Sequence, residues 1–126
     1  MTRQDCLKSA IALLRPMQER AAKQGIVLSF ENHTGSIGGK PEDCLALLEA
    51  VPGLKLDFDF SHVVACGITL DQTKPLWKHV AHVGVRNVKN GSFNEPVRDG
   101  KLDRHHRLLE GPPRRQGRCL RVGRVL

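Results

Sequence analysis

The chain has 126 residues, is 40% hydrophobic and 26% charged, and carries a formal net charge of +7, enough for one small domain with a modest core. No apolar run approaches the roughly 20 residues of a membrane span. The charged, amphipathic start MTRQDCLKSAIALLRPMQER lacks the apolar stretch and cleavage site of a secretory signal, so no membrane role and a cytosolic location are expected.

The positive charge is not spread over the body. Residues 1–95 carry 11 Lys+Arg against 10 Asp+Glu, whereas residues 96–126 carry 9 against 3. A nucleic-acid reading therefore rests on the tail alone and is disfavoured. Cys6, Cys44, Cys66 and Cys119 form no CxxC pair, so reduced thiols are expected, with Cys44 and Cys66 as small core residues.

Thr2 to about Gln24 reads as a helix: Leu7, Ala10, Ile11, Leu14, Met17 and Ala21 recur at helical spacing. Thr2 and Asp5 resemble a capping box and Gly25 is a stop, while Pro16 is expected to kink or split the element. GIVLSFENH follows as a strand, with Val27, Ser29, Glu31 and His33 on one face. The loop TGSIGGK does not match GxxxxGK[ST] and has little weight as a phosphate cradle.

Pro41 to Ala50 fits a second helix, with Pro early and acids in its first turn. PG at 52–53 is a turn. LKLDFDFSH, 54–62, is then a strand with Leu54, Leu56, Phe58 and Phe60 on one face and Lys55, Asp57, Asp59 and Ser61 on the other. Two readings fit that polar face: a solvated sheet surface, or a strand looking into a metal site. VVACGITLDQTKPLWKHV reads as a loop and a helix ending near His79, AHVGVRNVK as a third strand, and NGSFNEPVRDGK as a loop. The order is βαβαβ, which implies a parallel sheet with helical crossovers.

Beyond Asp103 the texture changes. RHHRLLEGPPRRQGRCLRVGRVL uses Arg and never Lys and shows no clean helical or strand period. Residues 104–126 are read as a separate basic tail: disordered, a nucleic-acid arm without aromatic residues to stack bases, or out of frame.

Ligands of a parallel α/β sheet collect at the carboxyl ends of its strands. Three such ends carry polar groups: Glu31-Asn32-His33, Asp59-Phe60-Ser61-His62, and His82-Val83-Gly84-Val85-Arg86-Asn87. Carboxylates mixed with imidazole suit a divalent metal of the Mn, Mg, Co or Zn type.

GIVLSFENHTG, LKLDFDFSHVVACG and HVGVRNVKNGS together resemble the sugar phosphate isomerase/epimerase superfamily, over roughly residues 5–103. Its members share a xylose isomerase-like TIM barrel and include ketose 3-epimerases, hydroxypyruvate isomerases, inosose dehydratases and endonuclease IV. The resemblance implies an α/β fold for residues 1–103: a partial (β/α)8 TIM barrel, a βαβαβ fragment equivalent to strands five to seven behind a preceding helix. A whole barrel needs about 250 residues. Three strands would leave open edges, so pairing with a second copy or a missing half is expected to be needed for stability.

The resemblance also implies roles. Glu31 matches a metal ligand that serves epimerases as the base. Asp59 matches a second ligand and His62 a residue that contacts substrate oxygen, so Glu31 and His62 are the catalytic candidates. His33 and Arg86 are further substrate-binding candidates. The family's next strand offers H-x-H-h-[RK]-[DN], and the second His is the third ligand; here Gly84 stands there. His82 faces the same way two residues deeper, about 6.6 Å along a strand, and is the substitute candidate.

The activity so implied is metal-dependent isomerisation or epimerisation of a small sugar or polyol, by proton abstraction alpha to a carbonyl. The alternatives are a catalytically silent fragment of such an enzyme and endonuclease IV-like or tail-mediated nucleic-acid binding.

Overall fold

The computed structural model describes residues 2–89, 92–95 and 119–122. Helix α1 runs Arg3–Lys23. Thr2 caps it as expected: its side chain accepts from the Asp5 backbone N–H while the Asp5 carboxylate accepts from the Thr2 N–H. Pro16 lies inside α1, and of the kink or split expected from the sequence the split does not occur. Its ring sits on the exposed side, and the buried stripe of Ala10, Leu14, Gln18 and Ala21 holds the turns on both sides against the sheet, offsetting the lost hydrogen bond. Gly25, at φ +67°, lets the chain turn into the first strand.

Strand β1 is Val27–Glu31 and helix α2 is Pro41–Ala50. The connection from α2 to the next strand needs glycine at Gly53: φ is +89°, and a Cβ would stand 2.6 Å from Gln18 Nε2 of α1. Strand β2 is Lys55–Asp59. The sequence reading carried this strand through Ser61 and His62; instead helix α3 starts at once and covers Phe60–Ala65. The reason is local. Asp59 has extended backbone, and its carboxylate accepts from the Ser61 N–H as an N-cap, so the last strand residue is also the first helix cap.

A short helix α4, Leu70–Thr73, passes directly into a 3-10 helix, Lys74–His79, where one helix was expected. Strand β3 is Val80–Gly84. The expected strand 81–89 breaks after Gly84, and Asn87–Lys89 (β4) pairs antiparallel with Ser92–Glu95 (β5). The segment read as a loop therefore contains a strand.

The expected parallel sheet is present: β1 pairs with β2 and β2 with β3, all parallel. A fourth strand, Cys119–Val122 (β6), lies parallel on the far side of β1, giving the order β3-β2-β1-β6. It falls in the tail, for which no strand was expected. Its residues are Cys-Leu-Arg-Val, and it pairs along the side of β1 that β2 does not occupy. The rest of 104–126 lies outside the described residues. The sheet, its crossover helices and its strand order make a partial (β/α)8 barrel.

One sheet face is apolar. Leu28, Phe30, Leu56 and Phe58 are buried against Ala10, Leu14 and Ala21 of α1 and Cys44, Leu47 and Leu48 of α2, the helical layer that a barrel places outside its strands. The other face carries Ser29 and Glu31, Asp57 and Asp59, His82 and Gly84, in register across the three strands. Among the described residues no helix is long and apolar enough to cross a membrane.

Cys44 is buried as expected, but Cys66 is exposed: it follows the end of α3, where the chain turns outward. Burial pushes the Cys44 thiol up to about 12, and its Sγ donates to the Gly38 carbonyl at 3.1 Å. Thiolate is the reactive form, so Cys66 should label with a maleimide or disulfide reagent at pH 8 within the mixing time. Cys44 should label only in denaturant, a difference that mass spectrometry of the native and unfolded chain reads directly.

Candidate active site

The polar face ends in a cluster at the carboxyl ends of β1 and β2. Glu31 is the last residue of β1 and Asp59 the last of β2. His62 stands on the first turn of α3, three residues past Asp59. Donor atoms of Glu31, Asp59 and His62 all lie within 4.8 Å of one another. The strand–cap–helix junction creates this. A strand continuing through Ser61 would have carried His62 to the opposite face; the helical turn brings it back over the strand end.

Asp59 is held from three directions. Asn32, just past β1, binds its backbone twice: the Asp59 N–H donates to Asn32 Oδ1 at 2.8 Å, and Asn32 Nδ2 donates to the Asp59 carbonyl at 3.0 Å. The β1–β2 register reaches only Glu31–Asp57, so a side-chain amide stands in for the next step of the ladder. Ser61 donates from N–H and Oγ to Asp59 Oδ1 at 2.8 and 2.5 Å. Arg86 donates from Nε and Nη2 to Oδ2 at 3.0 and 2.5 Å.

Burial alone would raise the Asp59 pKa, but the hydrogen bonds from the Ser61 side chain, Arg86 and the Ser61 backbone outweigh it and hold the carboxyl below its ordinary range. The same Asp59 bonds raise the Arg86 guanidinium against the burial that would lower it. Asp59 is an anion and Arg86 a cation.

His62 is buried. Its Nδ1 lies 2.5 Å from Thr34 Oγ1 and its Nε2 lies 3.3 Å from Arg86 Nη2. The Thr34 backbone N–H also donates to Nδ1, at 3.3 Å, so Thr34 holds that side of the ring through both its N–H and its hydroxyl. Nε2 is the ring nitrogen turned into the cluster, the orientation a ligating or substrate-binding imidazole needs. The ring is flanked by His33, centroids 4.0 Å apart, and Phe93 of β5, 5.0 Å apart. His33 donates from Nδ1 to the Thr34 carbonyl at 2.7 Å.

The candidates read from the sequence thus fall into two groups. Glu31, Asp59, His62 and Arg86 come together, and His33 lines their edge. His82 does not join them: its Nδ1 is 2.7 Å from Asp57 Oδ1, one step deeper on the same face. Gly84 lies directly across the ladder from Asp59. A Cβ there would meet Asp59 Oδ2 at 3.4 Å, so a side chain at 84 would border the oxygen that Arg86 holds.

Sequence reasoning missed Asn32, Thr34, Ser61 and Phe93. Two of them had a signal: Ser two residues after Asp is an N-cap pattern, and Asn90-Gly91 between NVK and SFNE is a hairpin dipeptide that would have placed Phe93 on a returning strand.

The sequence profile of one family, described as "Xylose isomerase-like TIM barrel", matches residues 1–116. The chain belongs to this family. No curated protein and no solved structure matches it. Within this barrel family, the carboxyl ends of the strands are where catalytic groups gather, and the Glu31–Asp59–His62 cluster occupies that end of β1 and β2.

Removing the amide clamp tests how Asp59 is placed. Asn32→Ala leaves a buried N–H and C=O of Asp59 unpaired, each costing roughly 1–3 kcal/mol. Urea unfolding should show a loss of at least about 2 kcal/mol. A loss below about 0.5 kcal/mol would mean that Asn32 does not hold the strand end.

Proposed function

We propose that this family member is a metal-dependent isomerase or epimerase of a small sugar or polyol, acting by proton abstraction alpha to a carbonyl. The observation that carries the reading is the convergence of Glu31, Asp59 and His62 within 4.8 Å at the carboxyl ends of adjacent strands. Two carboxylate oxygens and an imidazole nitrogen are a donor set for Mn2+, Mg2+, Co2+ or Zn2+, and Glu31, Asp59 and His62 would hold the ion. Bound there, it would supply Lewis-acid polarisation of the substrate's oxygens.

The chain's own groups divide the remaining work. Glu31 takes the proton from the carbon beside the carbonyl, and the electron pair moves onto the carbonyl oxygen to form an enediolate. Return of that proton from Glu31 to the neighbouring carbon gives an isomer; protonation of the same carbon from the other face by water, with the proton on Glu31 passing back to solvent, gives an epimer. His62, held at Nδ1 by Thr34, would present Nε2 to the ion and stand beside the substrate oxygens there. The half-exposed Arg86 offers N–H donors to further oxygens, and His33, whose Nδ1 donates to the Thr34 carbonyl, offers Nε2 as an acceptor for a hydroxyl. The free thiols Cys6, Cys44 and Cys66 suit a reducing, cytosolic compartment.

A second reading, a catalytically silent member of the family, is favoured by one observation: glycine stands across from Asp59, where the resemblance calls for a third ligand. The two readings separate in one assay. The full chain is incubated in deuterated water with Mn2+ and a panel of ketoses and keto-polyols, and deuterium entering the carbon alpha to the carbonyl is followed by NMR. The enzymatic reading expects metal-dependent exchange that EDTA stops and that Glu31→Gln lowers by about 100-fold or more. Exchange undiminished in Glu31→Gln would remove Glu31 as the base. No exchange across the panel, with Mn2+ bound, would favour the silent reading.

A further inference from the structure

One atom, Arg86 Nη2, touches all three members of the cluster: Asp59 Oδ2 at 2.5 Å, His62 Nε2 at 3.3 Å and Glu31 Oε1 at 3.4 Å. These are the side chains that would hold a metal, and the guanidinium nitrogen stands among them. The Glu31 and Asp59 side chains are only 9% and 3% exposed, and two such carboxylates side by side require a cation or a proton between them. Arg86 supplies the cation. Its own side chain is 47% exposed, so it enters the cluster from the solvent side and has open space to leave by. Its Cζ also lies 5.9 Å from the Phe93 ring centroid, a face against which a displaced guanidinium can rest.

Gly84 borders the same Asp59 oxygen from the β3 side. It stands opposite Asp59 in the ladder, and its missing Cβ would have lain 3.4 Å from the same Oδ2 that accepts from Arg86. A larger side chain at 84 would crowd that oxygen from the β3 side.

We propose that Arg86 is a resident counter-cation of this site, competing with a divalent metal for Glu31, Asp59 and His62, so that metal enters as the arginine swings out. The inference rests on the metal reading above and adds a consequence. Without metal the arginine offsets one of the two carboxylate charges, and the apparent metal affinity is reduced by the fraction of time the arginine occupies the site. Metal loading and release of Arg86 toward solvent or substrate oxygens become one event.

The test uses the full chain. Mn2+ affinity is measured by calorimetry, and Co2+ binding by its visible absorption, for wild type, Arg86→Gln and Arg86→Lys. Arg86→Gln should bind Mn2+ about tenfold tighter or more, the factor imposed when the competent state is populated below one tenth. Arg86→Lys, which keeps the charge but loses the two-nitrogen grip on Asp59, should fall between. Without metal, Arg86→Gln should melt below wild type and gain more on adding Mn2+.

Wild-type binding that is unchanged or weaker in Arg86→Gln overturns the inference and leaves the metal reading standing. No binding in either protein overturns both. A readout that needs no variant covers a failure of Arg86→Gln to fold: in wild type, the Arg86 Nε–H resonance should shift and exchange faster with water as Zn2+ is added. An unchanged resonance at saturating Zn2+ overturns the inference.

Discussion

Two carboxylates, Glu31 and Asp59, end neighbouring strands of one sheet with almost no access to water, and the rest of the site answers to that constraint. Bringing like charges together out of solvent is costly unless a cation or several hydrogen bonds stand beside them. Asp59 is therefore the most heavily bonded side chain of the site, with Ser61 on one oxygen and Arg86 on the other. The Asn32 amide fixes the backbone beneath it. The fold supplies the position: strands packed by their apolar face against α1 and α2 present every second residue to the opposite side, so ionisable groups need not enter the core.

The junction at Asp59 joins fold to chemistry. One carboxylate ends β2, caps α3 and stands in the cluster. Because the helix begins immediately, His62 arrives beside Glu31 and Asp59 after a single turn, and Thr34, from the loop after β1, holds its Nδ1 side. Each contact is local, and together they tie β1, its following loop, β2 and α3 into one unit. Arg86, from the segment between β3 and β4, brings the third parallel strand into the same arrangement.

The layout was legible in the sequence wherever period and turn chemistry agreed. The capping box at Thr2, the Pro41 start of α2, and the parallel β1, β2 and β3 each rest on a strong local pattern, and the strand-end groups followed from that order. The misses have physical causes. LKLDFDFSH alternates so cleanly that the helix cap inside it is hidden, since Asp serves a polar strand face and an N-cap equally well. Pro16 looked disruptive because propensity is local, whereas α1 is held by packing along its whole buried stripe. His82 shares the face of Asp59, and alternation alone cannot tell that Asp57, its partner in the ladder, takes it one step away from the cluster. Arg86 was legible only as a substrate-binding candidate, because its pairing with Asp59 crosses from the end of β3 to the end of β2 and leaves no local pattern.

We propose that Glu31, Asp59 and His62 form one cation-holding centre, filled from within by Arg86 and from without by a divalent metal. The most direct measurement is diffraction from crystals of the full chain with and without Mn2+, using the anomalous signal of manganese. The expected result is a peak among Glu31, Asp59 and His62 in the soaked crystals with Arg86 turned away, and Arg86 on Asp59 in the unsoaked ones. Saturating Mn2+ that leaves no peak there, with Arg86 still bonded to Asp59, would contradict it.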